Sequence, residues 1–375
     1  MITTDLSNEE YRKIPKDSAS FLKAVLRSVA HALTEKKRTK AMNEGLRIHE
    51  YVLERHVFEK NYRCGINPDD YPDAINTADE LKQAIKEFNE TRLPALKKTG
   101  SRDALLEQIT KESPHHLEHV SDFSALNVSD IKAKIDEINS SPNRGLIPLS
   151  GSSIELYERA VDAGWSGEYL PYIIKQDELT EDRKTLPYAE YSKYDAMYQS
   201  LLKHVETGAQ AEIERNQGEV VMQWLHYALT SPEVMETEVS IEGENDKCRL
   251  DMRFKAGDKW MAFDLKSSED ARPEAFIRAA GNMHYDLQAA HYNAVCEEVG
   301  QPNEVFAFIA IETKDPYGVN IFIPDDEFME IGHKKRNFAK KRLTQYKESG
   351  IIAAYEPKAT VLIPSYSSKN GEWNE

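Results

Sequence analysis

The chain has 375 residues, 40% apolar and 30% charged, a composition that excludes collagen-like, coiled-coil-only and wholly disordered proteins. Three widely spaced cysteines, Cys64, Cys248 and Cys296, with no CxxC pair, exclude a cysteine zinc site and a disulfide framework and fit a reducing cytosol. A net charge of −16, from 48 Lys+Arg against 64 Asp+Glu, has the wrong sign for a protein that coats nucleic acid but suits an enzyme that holds divalent cations.

Residues 1–16 are polar, with no signal-peptide core, and no apolar run reaches the roughly 18 residues of a membrane span. A cytoplasmic protein with no membrane contact is therefore expected. Ser18 and Ser20 are cap candidates for a helix carrying Phe21, Leu22, Val25, Leu26 and Val29, and a second periodic run holds Leu46, Ile48, Tyr51, Val52 and Leu53. The Pro-, Asp- and Asn-rich stretch 67–76 breaks the pattern and marks a boundary.

Residues 79–88 form one amphipathic helix, and a second starts at Ser101 after Gly100. These helices, the turn 97–102 and the apolar Leu105, Leu106 and Ile109 resemble a SAP-type DNA-binding module over 77–112, with a longer connection than usual. Residues 113–185, polar and interrupted by Pro114, Pro142, Pro148 and 150–153, read as linker and peripheral helices. Helical runs are expected over 191–205 and 211–229, and no internal repeat is apparent.

From Glu236 the period changes to that of strands. Segments 237–241, 247–254 and 259–266, separated by turns, form a β-meander that carries Glu238, Asp251, Asp264 and Lys266. The strand period puts Asp264 and Lys266 on one face and turns Met261, Phe263 and Leu265 the other way. Arg249 and Arg253 should share the face of Asp251. Adjacent strands can bring Asp251 beside Asp264, where two carboxylates need a hard cation such as Mg²⁺ to relieve their repulsion. A metal there can activate water and neutralise a phosphate oxygen, and Lys266 can orient that water. A helix from Pro273 follows, then a helix placing Gln288 and Tyr292 on one face, then strands over 305–312 and 314–323. This order predicts an α/β core with a mixed central sheet flanked by helices. The segment 333–347 holds seven Lys/Arg and no acid.

The strings Cys248–Asp251, Phe263–Ala271, Tyr285–Tyr292 and Phe308–Tyr317, with Asp17–Leu22 and Gly45–Glu54 and with Phe58 and Tyr62 beyond, resemble the RecE-like (exodeoxyribonuclease VIII) branch of the PD-(D/E)XK nucleases. Gln288 and Tyr292 match the Q-x-x-x-Y motif of RecB-like members, and His49 stands in the G-x-x-x-H position. Leu250 replaces the usual proline before the first aspartate, and a large insertion separates His49 from the acids. The resemblance implies a restriction-endonuclease-like core over 186–364, an N-terminal part over 1–66, a helical insertion and a disordered tail over 365–375. It implies that His49, Asp251, Asp264 and the Leu265 carbonyl bind Mg²⁺ or Mn²⁺, with Glu238 contributing; by register, Glu236 is the alternative to Glu238. Lys266 would position water, and Gln288 and Tyr292 would support the site or contact DNA. Lys334, Lys335, Arg336, Lys340, Lys341, Arg342, Ser267 and Arg253 are the candidate DNA-backbone contacts. The implied activity is Mg²⁺-dependent exonuclease digestion of linear double-stranded DNA, 5′ to 3′, leaving 3′ single strands for an annealing protein. A homo-oligomeric ring such as a tetramer, in a bacterial or phage-infected cell, goes with it. The same motif serves structure-specific endonucleases and inactive DNA-binding scaffolds.

Overall fold

A computed structural model of the chain describes residues 1–4, 6–34, 39–117, 125–215, 220–352 and 354–355; the expected tail over 365–375 lies outside them. The chain divides into two compact units, one of residues 1–59 with 192–375 and one of residues 60–191.

The first unit opens with β1 (Ile2–Thr3), α1 (Asn8–Lys13), α2 (Ala19–Arg27), α3 (Val29–Leu33) and α4 (Lys40–Leu53); α5 (Arg55–Asn61) leads out of it. The Ser18 hydroxyl accepts the Phe21 amide at 3.3 Å and caps α2, whose buried face is Ala19, Leu22 and Val25. Ser28 is extended and its hydroxyl accepts the His31 amide, so the expected run to Val29 is two helices rather than one. Helix α4 buries Ile48, Tyr51, Val52 and Leu53 and leaves His49 on its flank.

The second unit holds β2 (Tyr62–Cys64), α6 (Ala78–Glu90), α7 (Arg102–Glu112), α8 (Val128–Asn139), α9 (Ser153–Asp162), α10 (Leu170–Glu178) and β3 (Lys184–Leu186). Strands β2 and β3 pair in parallel, Tyr62 opposite Lys184, so the unit's chain enters and leaves side by side. The expected division into a two-helix module and a linker does not hold, because α6 and α7 do not cover one another. Leu81 and Ile85 of α6 pack with Leu156 and Ala160 of α9, while Leu105 and Ile109 of α7 pack with Ile131, Ile135 and Ile138 of α8.

This exchange exposes an internal repeat. Leu81, Ile85, Phe88 and Asn89 follow the cap Thr77 at the intervals by which Ile131, Ile135, Ile138 and Asn139 follow the cap Asn127. Leu105 and Ile109 follow the cap Ser101 as Leu156 and Ala160 follow the cap Ser152, and a glycine with positive φ precedes each serine. The contacts repeat as well. The Asn89 side chain donates to the Ile147 carbonyl at 3.0 Å and accepts the Ile147 amide at 2.8 Å, and Asn139 makes the same pair with Leu96 at 3.0 and 2.8 Å. The extended connections meet where the Leu93 amide donates to Asn143 and the Gly145 amide to Leu93.

The first unit resumes within α11 (Tyr188–Arg215), one continuous helix in place of the interrupted run expected there, followed by α12 (Val221–Thr230). Then come β4 (Met235–Glu242), β5 (Lys247–Ala256), β6 (Lys259–Ser268), α13 (Pro273–Asn282), α14 (Tyr285–Glu298), β7 (Asn303–Glu312), β8 (Val319–Phe322) and α15 (Asp326–Ser349). The sheet order is β1-β4-β5-β6-β7-β8; only β6 and β7, joined through α13 and α14, are parallel. Val239, Ile241, Leu250, Ala262, Phe306 and Phe308 of the strands bury against α13 and α14. Helix α15 lies on α14 at close quarters: a methyl group at Gly332 would stand 2.1 Å from the Asp286 carbonyl oxygen. Only glycine fits that crossing.

Candidate active site

The site forms where the sheet opens. The β5–β6 ladder runs from Ala256–Lys259 to Met252–Phe263, and past it the Leu265 amide donates to the Asp251 carboxylate at 2.8 Å, the side chain taking the place of a ladder partner. On the other side of Asp251, the β4–β5 register is unshifted from Thr237–Met252 to Val239–Leu250, which sets Glu238 opposite Asp251. Glu238 between them has φ +50°, a left-handed conformation costly for a residue with a Cβ. Glu238, Asp251 and His49 of α4 offer ligand atoms within 4.8 Å of one another. His49 Nδ1 is 3.5 Å from Asp251 Oδ2. Glu236 goes elsewhere, pairing with Arg253 at 2.7 Å, so Glu238 is the glutamate in the cluster.

Asp264 and Lys266 are joined on β6, as the strand period requires, by an ion pair between Oδ1 and Nζ. The second oxygen of Asp264 accepts Nε2 of Gln288 at 2.5 Å. Asp264, buried to 1% side-chain exposure, is thus held by Lys266 and Gln288 and stands outside the His49–Glu238–Asp251 set. Lys266 also lies 4.9 Å from the centre of the Tyr285 ring. Tyr292, one helical turn after Gln288, meets the ring of Phe306 edge-on at 6.1 Å and joins the apolar core.

The charges explain each other. Burial, then the neighbouring Asp264 and Glu238, push the Asp251 carboxyl well above the usual carboxylate range. Burial pulls His49 down, with the Lys266 cation adding to it, which keeps the imidazole in its neutral, ligating form. Burial works against the Lys266 cation, but Asp264 and Asp251 more than offset it and hold Lys266 protonated. An Asp251 carboxyl raised by its acidic neighbours, beside a neutral imidazole, fits a hard divalent cation. A cleft of about 640 Å³ adjoins the set, lined by Leu46, His49, Glu50, Glu54, Glu238 and Arg249. Burial and then Glu238 lift the Glu54 carboxyl to about 7.

Of three further residues in this neighbourhood, Arg249 was expected on the face of Asp251 and Glu54 closes the Gly45–Glu54 string, whereas Lys23 carried no signal in the sequence. Lys23 on α2 donates to Gln288 Oε1 at 2.8 Å, and Arg249 donates to Glu238 at 2.5 Å. Glu54 sits one turn beyond Glu50 on α4's exit. Lys23 belongs to no local pattern, since it reaches the site from a segment distant in sequence.

The expected DNA contacts fare differently. Lys335 pairs with Asp286 at 2.5 Å, and Arg336, at 2.5 Å, and Lys340 both pair with the buried Asp246. Arg342 donates to the carbonyls of Val25 and Leu26, at the C-terminal end of α2, at 3.2 and 2.8 Å. Lys334 pairs with Glu330 on its own helix at 2.6 Å, while Lys341 is exposed. The basic segment is therefore largely a set of inward ion pairs and a helix cap rather than a free phosphate-binding stripe. Arg253 is likewise engaged, between Glu236, Gln301 and the Trp260 ring. Ser267 is exposed beside Gly45, and Ser268 is used in a turn with Asp270.

Residues 175–355 match the family model described as a PDDEXK-like domain of unknown function. Glu238, Asp251, Asp264 and Lys266 lie inside the matched stretch, and His49 and Lys23 outside it. Among solved structures, that of a protein from Eubacterium rectale named "Putative exonuclease" is 14% identical, the alignment covering 72% of this chain and 97% of that one with a TM-score of 0.30. That of SSO0001 is 17% identical, covering 41% of this chain and 71% of that one with a TM-score of 0.21. No curated protein matches the chain. The fold is the expected one, a PDDEXK-like α/β core with a mixed central sheet flanked by helices and interrupted by a helical insertion. Among the described residues no helix is long and apolar enough to cross a membrane.

Proposed function

We propose that the protein is a metal-dependent nuclease that hydrolyses DNA phosphodiesters, and within that class an exonuclease on linear duplexes that uses Mg²⁺ or, in its place, Mn²⁺. The observation that carries this reading is the convergence of His49, Glu238 and Asp251 within 4.8 Å, beside the Asp264–Lys266 pair. The donors suit the ion: one neutral imidazole and two carboxylates, with the Leu265 carbonyl in hydrogen-bond reach of the His49 ring. A divalent cation held by His49, Glu238 and Asp251 would supply positive charge to a phosphate oxygen and acidify water.

The chain's own residues do the rest. Lys266, kept charged by its acidic neighbours, donates rather than accepts: it orients the attacking water and stabilises the charge that develops on phosphate. Asp264 fixes that ammonium, and Gln288 fixes Asp264. Glu238, anchored by Arg249, and Asp251, anchored by the Leu265 amide, hold their oxygens toward the cleft. Preference for a DNA end, 5′ to 3′ polarity, delivery of the 3′ strand to an annealing protein and a ring-shaped homo-oligomer belong to the proposal through the RecE-like motifs alone.

The test is digestion of end-labelled linear duplex and closed circular DNA with Mg²⁺ or with EDTA, by wild type and Asp251→Asn. Mg²⁺-dependent loss of the linear substrate, down at least about 100-fold in the variant, is expected, and the label lost first gives the polarity. Cutting of the circle would transfer the site to an endonuclease; no cutting of either would sink the nuclease reading.

A further inference from the structure

We propose that Lys23 is a positioning residue of this site, acting through Gln288 on Asp264; the catalytic part of the argument rests on the nuclease reading. A primary amide offers a carbonyl acceptor at one end and an NH₂ donor at the other, in nearly the same shape. Asp264 needs the donor end, and something must keep Gln288 from presenting the other.

Lys23 does so by chemistry. Burial and then the Lys266 cation lower the Lys23 pKa to about 7, and in its ammonium form, which has donors only, the Lys23 Nζ contact to Gln288 Oε1 at 2.8 Å obliges the amide to turn its nitrogen to Asp264 Oδ2, at 2.5 Å. Lys23 is itself held in place: its Nζ lies 5.0 Å from the centre of the Tyr285 ring, which Lys266 approaches at 4.9 Å. Helix α2 is in turn fixed by Leu22 and Val25, which pack with Leu287 of α14, and by Arg342 at its C-terminal end. The two bonds run in series, Lys23 to Gln288 to Asp264, and end on the aspartate that holds Lys266. Residue 23 lies outside the stretch that matches the PDDEXK-like family model, so the N-terminal helix supplies the matched domain with the group that sets its amide.

Series coupling has a distinct signature. Lys23→Met keeps the length of the side chain and removes the donor. The Gln288 side-chain amide, identified in nitrogen–proton spectra by its disappearance in Gln288→Met, is expected to exchange slowly in wild type and to lose that protection in Lys23→Met, with the circular dichroism unchanged. In cleavage, Lys23→Met should lower kcat about tenfold at constant KM, Lys23→Arg should restore most of it, and Lys23→Met should add nothing in the Gln288→Met background. A protected Gln288 amide in Lys23→Met overturns the proposal, as does a rise in KM with kcat unchanged or a multiplicative double variant, which would make Lys23 a direct contact to DNA. If wild type cleaves no DNA, the nuclease reading fails, and the amide signal still decides whether Lys23 sets Gln288.

Discussion

His291 shows how a single buried group ties the site's helix to the rest of the unit. It is completely buried on α14, its Nε2 donates to the Lys247 carbonyl at 3.0 Å, and its Nδ1 accepts Arg336 Nε at 3.3 Å. Protonating Nδ1 would remove that acceptor and set a cation beside Arg336 and Lys340. Burial, the larger cause, lowers its pKa to about 4 from the ordinary 6.5. The unfolded chain therefore takes up the proton first as pH falls. Stability from this residue is complete above about pH 6.5 and is lost progressively toward pH 4, by an amount on the order of 2–3 kcal/mol. Urea titrations at pH 7 and pH 4.5 should show wild type losing more stability than His291→Gln; equal losses would refute the assignment. At this scale the sequence was legible where chemistry is local. Asp264 and Lys266 share a face because strands alternate, and they meet. Glu238 against Glu236 was undecidable, because both lie on one face of β4 and the answer is the register with β5, which sets Glu236 opposite Arg253 and Glu238 opposite Asp251. Lys23 was invisible because its partner is on another helix, far along the chain.

Among the elements, α15 gave the least reliable reading. A run of cations without an acid looks like a surface for phosphate, yet Asp246 and Asp286, which pair with Arg336, Lys340 and Lys335, come from the β4–β5 turn and from α14. Charge along one helix says nothing of the charge facing it. The crossing of α14 and α15 depends instead on Gly332, and there a sharp test exists. Gly332→Ala puts a methyl group against the Asp286 carbonyl, and the helices must part. Its expected cost is about 1–3 kcal/mol or more, read as a lower urea midpoint at unchanged slope. An unchanged midpoint would mean that the crossing relaxes freely. The meander and the α13–α14 crossover, by contrast, were legible, because each strand is bounded by its own turn residues and each helix by its own period.

For the whole molecule, the insertion was misread as a module plus a linker because local patterns report helices, not which helices share a core. The repeat was hidden for a related reason: its halves share apolar spacing, caps and one asparagine rather than a common string of residues. The two asparagines make the equivalence measurable. Asn89→Ala strips both partners from Ile147, and Asn139→Ala strips both from Leu96. Each should cost about 1–3 kcal/mol, the two agreeing within the error of a denaturant titration. A large cost for one and none for the other would make the symmetry an accident of shape.

The exchanged helices have a topological consequence for residues 60–191. Each apolar face in the repeat is closed by a helix from the other half, so neither half owns a finished core. The arrangement is that of two short chains that have traded arms and were then spliced end to end. A lone half could satisfy its helices only by meeting a second copy of itself, and the single covalent connection between the halves makes that meeting intramolecular. The partner that a dimer must find by diffusion is here always present.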